Sequence, residues 1–320
     1  MAQFRFGIPA PQALGTQVAS PLPQPYSGAG LFYGFSAYFL WGLSPLFWKL
    51  LARVPALEVL AHRAVWGALS FLLLLASRRD LKALWPALRQ RKILGAMALA
   101  SVLIGINWLT YIHAVAADWI LECSLGYFIN PLASVLLAAF VLGEKLRRLQ
   151  WMAVGLAAFG VVQLAAQAQG LPWVSLILAL SFALYALVRK VAPVAALLGS
   201  TMEALLLLPW ALAYLLFLAW RGGAHFGEDA SISALLVSTG LVTALPLLLF
   251  ALSARLLPLS IVGFMQYLAP TLQFLLAVFV YGERFSPAHR NAFVCIWVAL
   301  AIFSLEGWWR SRKRARATAG

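Results

Sequence analysis

The sequence predicts an all-α integral membrane protein of ten transmembrane helices, arranged as two inverted five-helix repeats. Three observations lead there. Of 320 residues, 63% are hydrophobic and 11% charged, against roughly 45–50% apolar and about 25% charged in a soluble domain. Charged side chains are therefore too few to cover a water-facing surface of this size. The apolar residues fall into ten runs, each near the ~20 residues that a bilayer span requires. One phrase is also written twice, "NPLASVLLAAFVLGE" at 130–144 and "APTLQFLLAVFVYGE" at 269–283. From proline to glutamate, 8 of its 14 residues are identical.

Residues 1–30, with Pro9, Pro11, Pro21, Pro23 and Pro25, lack the continuous apolar core of a signal peptide. They read as a flexible cytoplasmic tail. The spans follow at about 31–51, 56–76, 93–113, 120–142, 149–168, 172–189, 197–219, 232–254, 258–281 and 290–309. Lipid offers no hydrogen bonds to an open backbone, and no ten-residue alternating pattern suggests a barrel, so each span is expected to be a helix. Residues 310–320, "RSRKRARATAG", read as a basic cytoplasmic tail held against anionic headgroups.

The net charge of +14 sits in short basic clusters between apolar runs. That is how membrane proteins mark cytoplasmic loops, and it argues against a nucleic-acid partner. With the N-terminus inside, the inside segments carry 18 of the 24 Lys and Arg residues and the outside segments 5, so both termini are expected in the cytoplasm. Cys123 and Cys295 lie in apolar runs and form neither a disulfide framework nor a metal-ligand spacing. No metal and no cofactor is expected.

The repeated phrase belongs to a longer match. Tyr111–Glu144 aligns without gaps with Phe250–Glu283, which sets Pro131 on Pro270, Gly143 on Gly282 and Glu144 on Glu283. The halves are then 31–168 and 172–309. Five spans is an odd number, so the second half enters the membrane from the opposite side. Inverted repeats of this kind build secondary transporters, with the substrate site near the midplane between the halves. The chain has no Walker loop, no nucleophile elbow and no soluble catalytic domain. It reads as a non-enzyme that moves a small organic solute, with an ion gradient or exchange as its energy source. A receptor-like or scaffold protein on a transporter fold is the alternative.

Candidate site residues follow from this reading. Proline removes an N–H and clashes with the carbonyl four residues back. Pro131 and Pro270 are expected to kink their helices, freeing the carbonyls of Tyr127 and Gln266 toward a central cavity, or else to be kinks tolerated by packing. Tyr127, Asn130, Gln266 and Tyr267 would line that cavity. Asn107, Trp108 and Tyr111 on the third span, with Trp41 and Tyr185, complete a possible aromatic pocket, although lone membrane aromatics also serve as packing. Ionisable residues inside spans are functional candidates by default. These are Glu58, His62, Arg63, Glu122, Glu203 and Arg255. Glu58 and His62 share a helix face, Arg63 is a candidate partner of Glu122, and His62 is the candidate carrier of a coupling proton. A structural ion-pair network is the competing reading.

Seven stretches, "AYFLWGLSPLFWKLL", "VPALEVLAHRAVW", "LIGINWL", "LECSLGYFINPL", "GEKLRRLQW", "ALYALVRK" and "GFMQYLAPTLQFLLAVFVYGE", together resemble the RarD family. That family is an EamA-domain branch of the drug/metabolite transporter superfamily. The resemblance spans about 31–309, and the proline-rich start departs from the family's short N-terminus. It implies ten helices in two inverted EamA-like halves, and a multi-pass permease of a bacterial-type inner membrane. The family label refers to chloramphenicol sensitivity. The family's known properties assign no site residues here.

Overall fold

The computed structural model describes residues 27–142, 146, 148–167, 171–257, 262 and 265–317. Most of the N-terminal tail, the Gly143–Glu144 end of the first repeated phrase and the side chain of Arg255 lie outside the described residues. Among those described there is no strand. Eleven helices occur in chain order: α1 (Gly28–Leu50), α2 (Ala56–Ser77), α3 (Leu84–Arg89), α4 (Arg91–Ala116), α5 (Ile120–Leu142), α6 (Arg148–Gln167), α7 (Trp173–Val191), α8 (Ala196–Trp220), α9 (Ala230–Leu256), α10 (Leu268–Leu275) and α11 (Pro287–Ala317). A π-helical turn, Leu276–Val280, continues α10. Seven of them, α2 and α4–α9, are long and apolar enough to cross a membrane, and the stretches Leu268–Val280 and Pro287–Ile302 are shorter apolar helices.

Three features differ from the sequence expectation. A short helix, α3, interrupts the basic loop after the second span, with Arg89 over the exposed ring of Trp85 at 4.8 Å. The last span runs on through the basic segment to Ala317, because Arg, Lys and Ala are good helix formers and cations suit a helix C-terminus. The ninth span is not one helix kinked in its middle. Its described helix starts at Leu268, which leaves Pro270 in the first turn, where a missing N–H costs no intrahelical bond.

Helix pairing has a pattern. Helix α1 packs on α9 and α10, while α7 packs on α4 and α5. Helix α2 packs on α8, and α6 on α11. With the short loop helix α3 set aside, exchanging the first five helices for the last five in chain order maps this set of pairs onto itself. Small residues make the close crossings possible, as membrane helices require. Ser253 Oγ donates to the carbonyl of Gly30 at 2.9 Å, joining α9 to α1. Ser124 Oγ donates to the carbonyl of Pro270 at 2.8 Å, joining α5 to α10. Phe293 is fully buried among Phe128, Phe274, Phe285 and Trp297, locking α5, α10 and α11 together.

Gly240 of α9 lies against the backbone of α2, where an added Cβ would meet the Trp66 carbonyl oxygen at 2.5 Å. Gly240→Ala should therefore destabilise the protein by roughly 1–3 kcal/mol, the usual cost of overpacking. Gly155→Ala on α6, where a Cβ would meet nothing, should be neutral or stabilising by up to about 1 kcal/mol. Thermal unfolding of both variants in one detergent checks the contrast.

Candidate substrate site

The helix ends at one face of the molecule are tied together by side chains. Lys49 Nζ, at the end of α1, reaches Asp118 Oδ1 at 2.5 Å and the carbonyls of Val115 and Ala116 at 3.2 Å, closing the C-terminus of α4. Asp229 caps α9 through Ser231 N and pairs with Arg53 at 2.8 Å. The bonds from Ser231 and Arg53 hold its carboxyl below the usual range. Gly282 adopts φ +64, a value that favours glycine, and the turn brings Glu283 under the head of α5. There Ile120 N donates to Glu283 Oε1 at 2.7 Å and Leu121 N to Oε2 at 2.8 Å. Burial pushes the Glu283 carboxyl up, against the lowering effect of these two N–H groups. A cleft of about 470 Å³ opens beside this cap, lined in part by Asp118, Glu122, Trp173, Glu283, Arg284 and His289.

Most of the ionisable candidates are occupied by structural partners. Glu58 does not pair with His62. It is fully buried and accepts from the backbone N–H of His225, with His225 Nδ1 also at 2.8 Å, clamping the loop between α8 and α9. His62 instead stacks on Phe226 at 5.1 Å, and neither of its ring nitrogens has a hydrogen-bond partner. Glu122 does not pair with Arg63. It accepts from Ser175 Oγ, with His289 Nε2 at 3.8 Å. The geometry is simple: Glu122 sits in the first turn of α5, whereas Arg63 lies seven residues inside α2, roughly 10 Å along its axis at 1.5 Å per residue. Glu203, near the opposite end of the bundle, pairs with Arg189 at 3.2 Å and accepts from Tyr185 OH at 3.1 Å. That removes Tyr185 from any shared pocket with the other aromatics.

The polar candidates divide further. Asn107 donates to the Leu178 carbonyl at 3.1 Å and to Ser181 Oγ at 3.0 Å, tying α4 to α7 rather than facing a cavity. Asn130 accepts from Ser134 one turn on. Trp41 packs with Tyr38 and Phe250 in a separate cluster between α1 and α9. Gln266 and Tyr267 form the turn before α10, and Tyr267 stacks on Phe128 at 6.4 Å. The helices carrying Pro131 and Pro270 thus pack directly on each other here, and α5 runs without interruption through Pro131.

What the fold does bring together is Arg63, Trp108, Tyr111 and Tyr127. The guanidinium of Arg63 lies 3.9 Å from the ring centroid of Trp108 and 4.8 Å from that of Trp48. The Tyr111 and Tyr127 rings are 5.8 Å apart, and Tyr111 OH shares a hydrogen bond of 2.9 Å with Ser44 Oγ. Both tyrosines are within electrostatic reach of Arg63. Arg63 is 9% exposed and its Nε has no hydrogen-bond partner. Burying an ion costs several kcal/mol, of which each cation–π contact returns up to about 2. Sequence reasoning missed Trp48, Ser44, His225 and Glu283. Only Glu283 carried a signal, its recurrence in the repeated phrase.

The EamA-like transporter family matches residues 28–165. The chain is 47% identical to an uncharacterized transporter of Pseudomonas aeruginosa, covering 89% of this chain and 96% of that protein. It is 45% identical to an uncharacterized transporter of Bacillus subtilis, covering 89% and 97%. It is 42% identical to protein RarD of Escherichia coli, covering 90% and 97%. One solved crystal structure, 22% identical, superposes with a TM-score of 0.57 over 88% of this chain and 97% of that one, which indicates a shared fold.

If Glu58 is a clamp, Glu58→Ala should cost roughly 1.5–3 kcal/mol, the worth of hydrogen bonds made to a charged group. Amide exchange should rise selectively over residues 222–229. Unchanged protection of that loop would remove the clamp assignment.

Proposed function

The chain belongs to the RarD family of EamA-like transporters, a multi-pass membrane protein, and on that premise we propose that it is a secondary active transporter of small organic solutes, exporting drugs or metabolites by alternating access. The carrying observation is the pairing pattern: α1 with α9 and α10 is matched by α7 with α4 and α5. That exchange supports two five-helix halves, 31–168 and 172–309, related by inversion. Rocking such halves about the α2–α8 contact would open the interior to each side in turn. The proposed substrate region is the layer of Trp108, Tyr111 and Tyr127 around Arg63, because it joins aromatic surface to a charge with no counter-ion among the described residues. The name of a second Pseudomonas aeruginosa relative, chloramphenicol-sensitive protein RarD, 36% identical, fits a drug-handling role.

The proposed coupling ion is the proton and its proposed carrier is His62. Its ring is buried and lacks hydrogen-bond partners, whereas Glu58, Glu122 and Glu203 are each committed to other groups. The titratable neighbours of His62 are Glu58, on its own helix, and His225, in the loop that packs against it. Imidazole titrates in the range where a physiological proton gradient operates.

Orientation is testable without a substrate. In a bacterial inner membrane, a reporter fused after Arg148 should read cytoplasmic and one after Arg284 external. The same side for both would break the inverted-repeat assignment.

Proteoliposomes test transport and coupling together. Saturable, counterflow-competent flux driven by an imposed pH gradient is expected, and His62→Asn should abolish the pH drive while leaving counterflow. A wild-type pH response in that variant would exclude His62 as the carrier. Non-saturable flux would indicate a channel.

A further inference from the structure

Arg63 stands apart from the other buried charges. Glu58 and Glu203 each have a donor at hydrogen-bond distance. Among the described residues, the contacts of the Arg63 guanidinium are with the rings of Trp48 and Trp108. Among the described residues no carboxylate comes within 4.0 Å of its guanidinium, and none of its N–H groups donates a hydrogen bond. The guanidinium lies over the Trp48 and Trp108 rings at 4.8 and 3.9 Å, contacts that supply no hydrogen-bond acceptor oxygen. Its planar N–H fork matches a carboxylate or phosphate with two parallel hydrogen bonds. Ser44 donates to the Trp41 carbonyl at 2.8 Å, which leaves Tyr111 OH as the donor to Ser44 Oγ; the Tyr127 hydroxyl is the remaining neutral donor near Arg63. A buried cation among aromatic rings, with no competing carboxylate among the described residues, is the chemistry of an anion site.

We propose that Arg63 binds the anionic group of a small organic solute, a carboxylate above all, whose apolar body lies against Trp108 and Tyr127. Calling that solute the cargo rests on the transporter reading. The binding itself does not.

The test uses full-length protein in nanodiscs of phosphatidylcholine alone. Thermal unfolding is followed against increasing phenylacetate and benzoate, and against the neutral isosteres phenylacetamide and benzamide. The carboxylates should raise Tm with concentration and the amides should not. Arg63→Met, which keeps an unbranched apolar stem beside Trp108, should lose the carboxylate response and unfold at or above the wild-type Tm without ligand. Arg63→Lys, which keeps the charge but not the planar fork, should weaken the response at least tenfold. Amides that stabilise as well as carboxylates would overturn the proposal, as would the absence of any carboxylate response in the wild type. So would a full response in Arg63→Met. Should Arg63→Met unfold well below wild type, Arg63→Lys decides: a response weakened at least tenfold supports the site, and a full response overturns it. Repeating the titration with phosphatidylglycerol in the nanodisc separates the sources of the anion. A response suppressed by that lipid would give Arg63 to a headgroup and overturn the solute reading. Carboxylate binding without flux of any solute would sink the transporter reading and leave this site standing. Flux that ignores solute charge would do the reverse.

Discussion

A membrane interior offers no water to an unsatisfied polar group, and this constraint organises the molecule from its helix ends inward. The first four N–H groups of a helix have no partner within it. At α5 two of them are met by one carboxylate, Glu283, delivered by the turn after the π-helical segment. The match is electrostatic as well as geometric, since a helix N-terminus favours a negative charge. Helix α5 is also the element that packs on both α7 and α10 and that carries Tyr127. Its position fixes the aromatic layer, and the Glu283 cap fixes its end. Lys49 performs the reciprocal task at the C-terminus of α4, meeting two carbonyls and Asp118.

The same constraint explains where irregular backbone is tolerated. Proline in a helix middle would orphan a carbonyl in lipid. At α10 the chain avoids much of that penalty by beginning the helix at Leu268, so Pro270 falls in its first turn. Its own carbonyl is taken by Ser124 of the neighbouring helix. The helix then widens into a π-helical turn over Leu276–Val280, with Tyr281 N bonded to the carbonyl of Leu276 and Glu283 N to that of Ala277. That wider winding, followed by the left-handed Gly282, leads directly into the Glu283 cap.

The helical class, seven of the spans and the family were legible in the sequence because each rests on a signal summed over many residues. Hydrophobic runs of bilayer length admit few alternatives, and the seven motif stretches act jointly. Side-chain partners were not legible, because each depends on one contact across the bundle. Glu58 and His62 lie one turn apart on α2, yet the carboxylate goes to His225, 167 residues away in sequence. Asn107 and Tyr111 are likewise one turn apart on α4, but one bonds α7 and the other α1. Helical spacing states which residues share a face. It does not state which neighbouring helix that face meets, and that neighbour assigns the role.

Comparing Lys49 with Arg63 sharpens what remains. Both are cations on membrane helices, Lys49 at the end of α1 and Arg63 two turns inside α2, and both touch aromatic rings. Lys49 is a point charge with an aspartate and two carbonyls around it, and its side chain is 23% exposed, so its charge is compensated where it stands. Arg63 is more deeply buried and has no acceptor among the described residues. Two indole contacts recover part of its desolvation cost, but methionine in the same place would stack without incurring that cost. Stability alone therefore gives no reason for a guanidinium here. A buried guanidinium whose Nε has no partner acquires a reason once an anion arrives to use it.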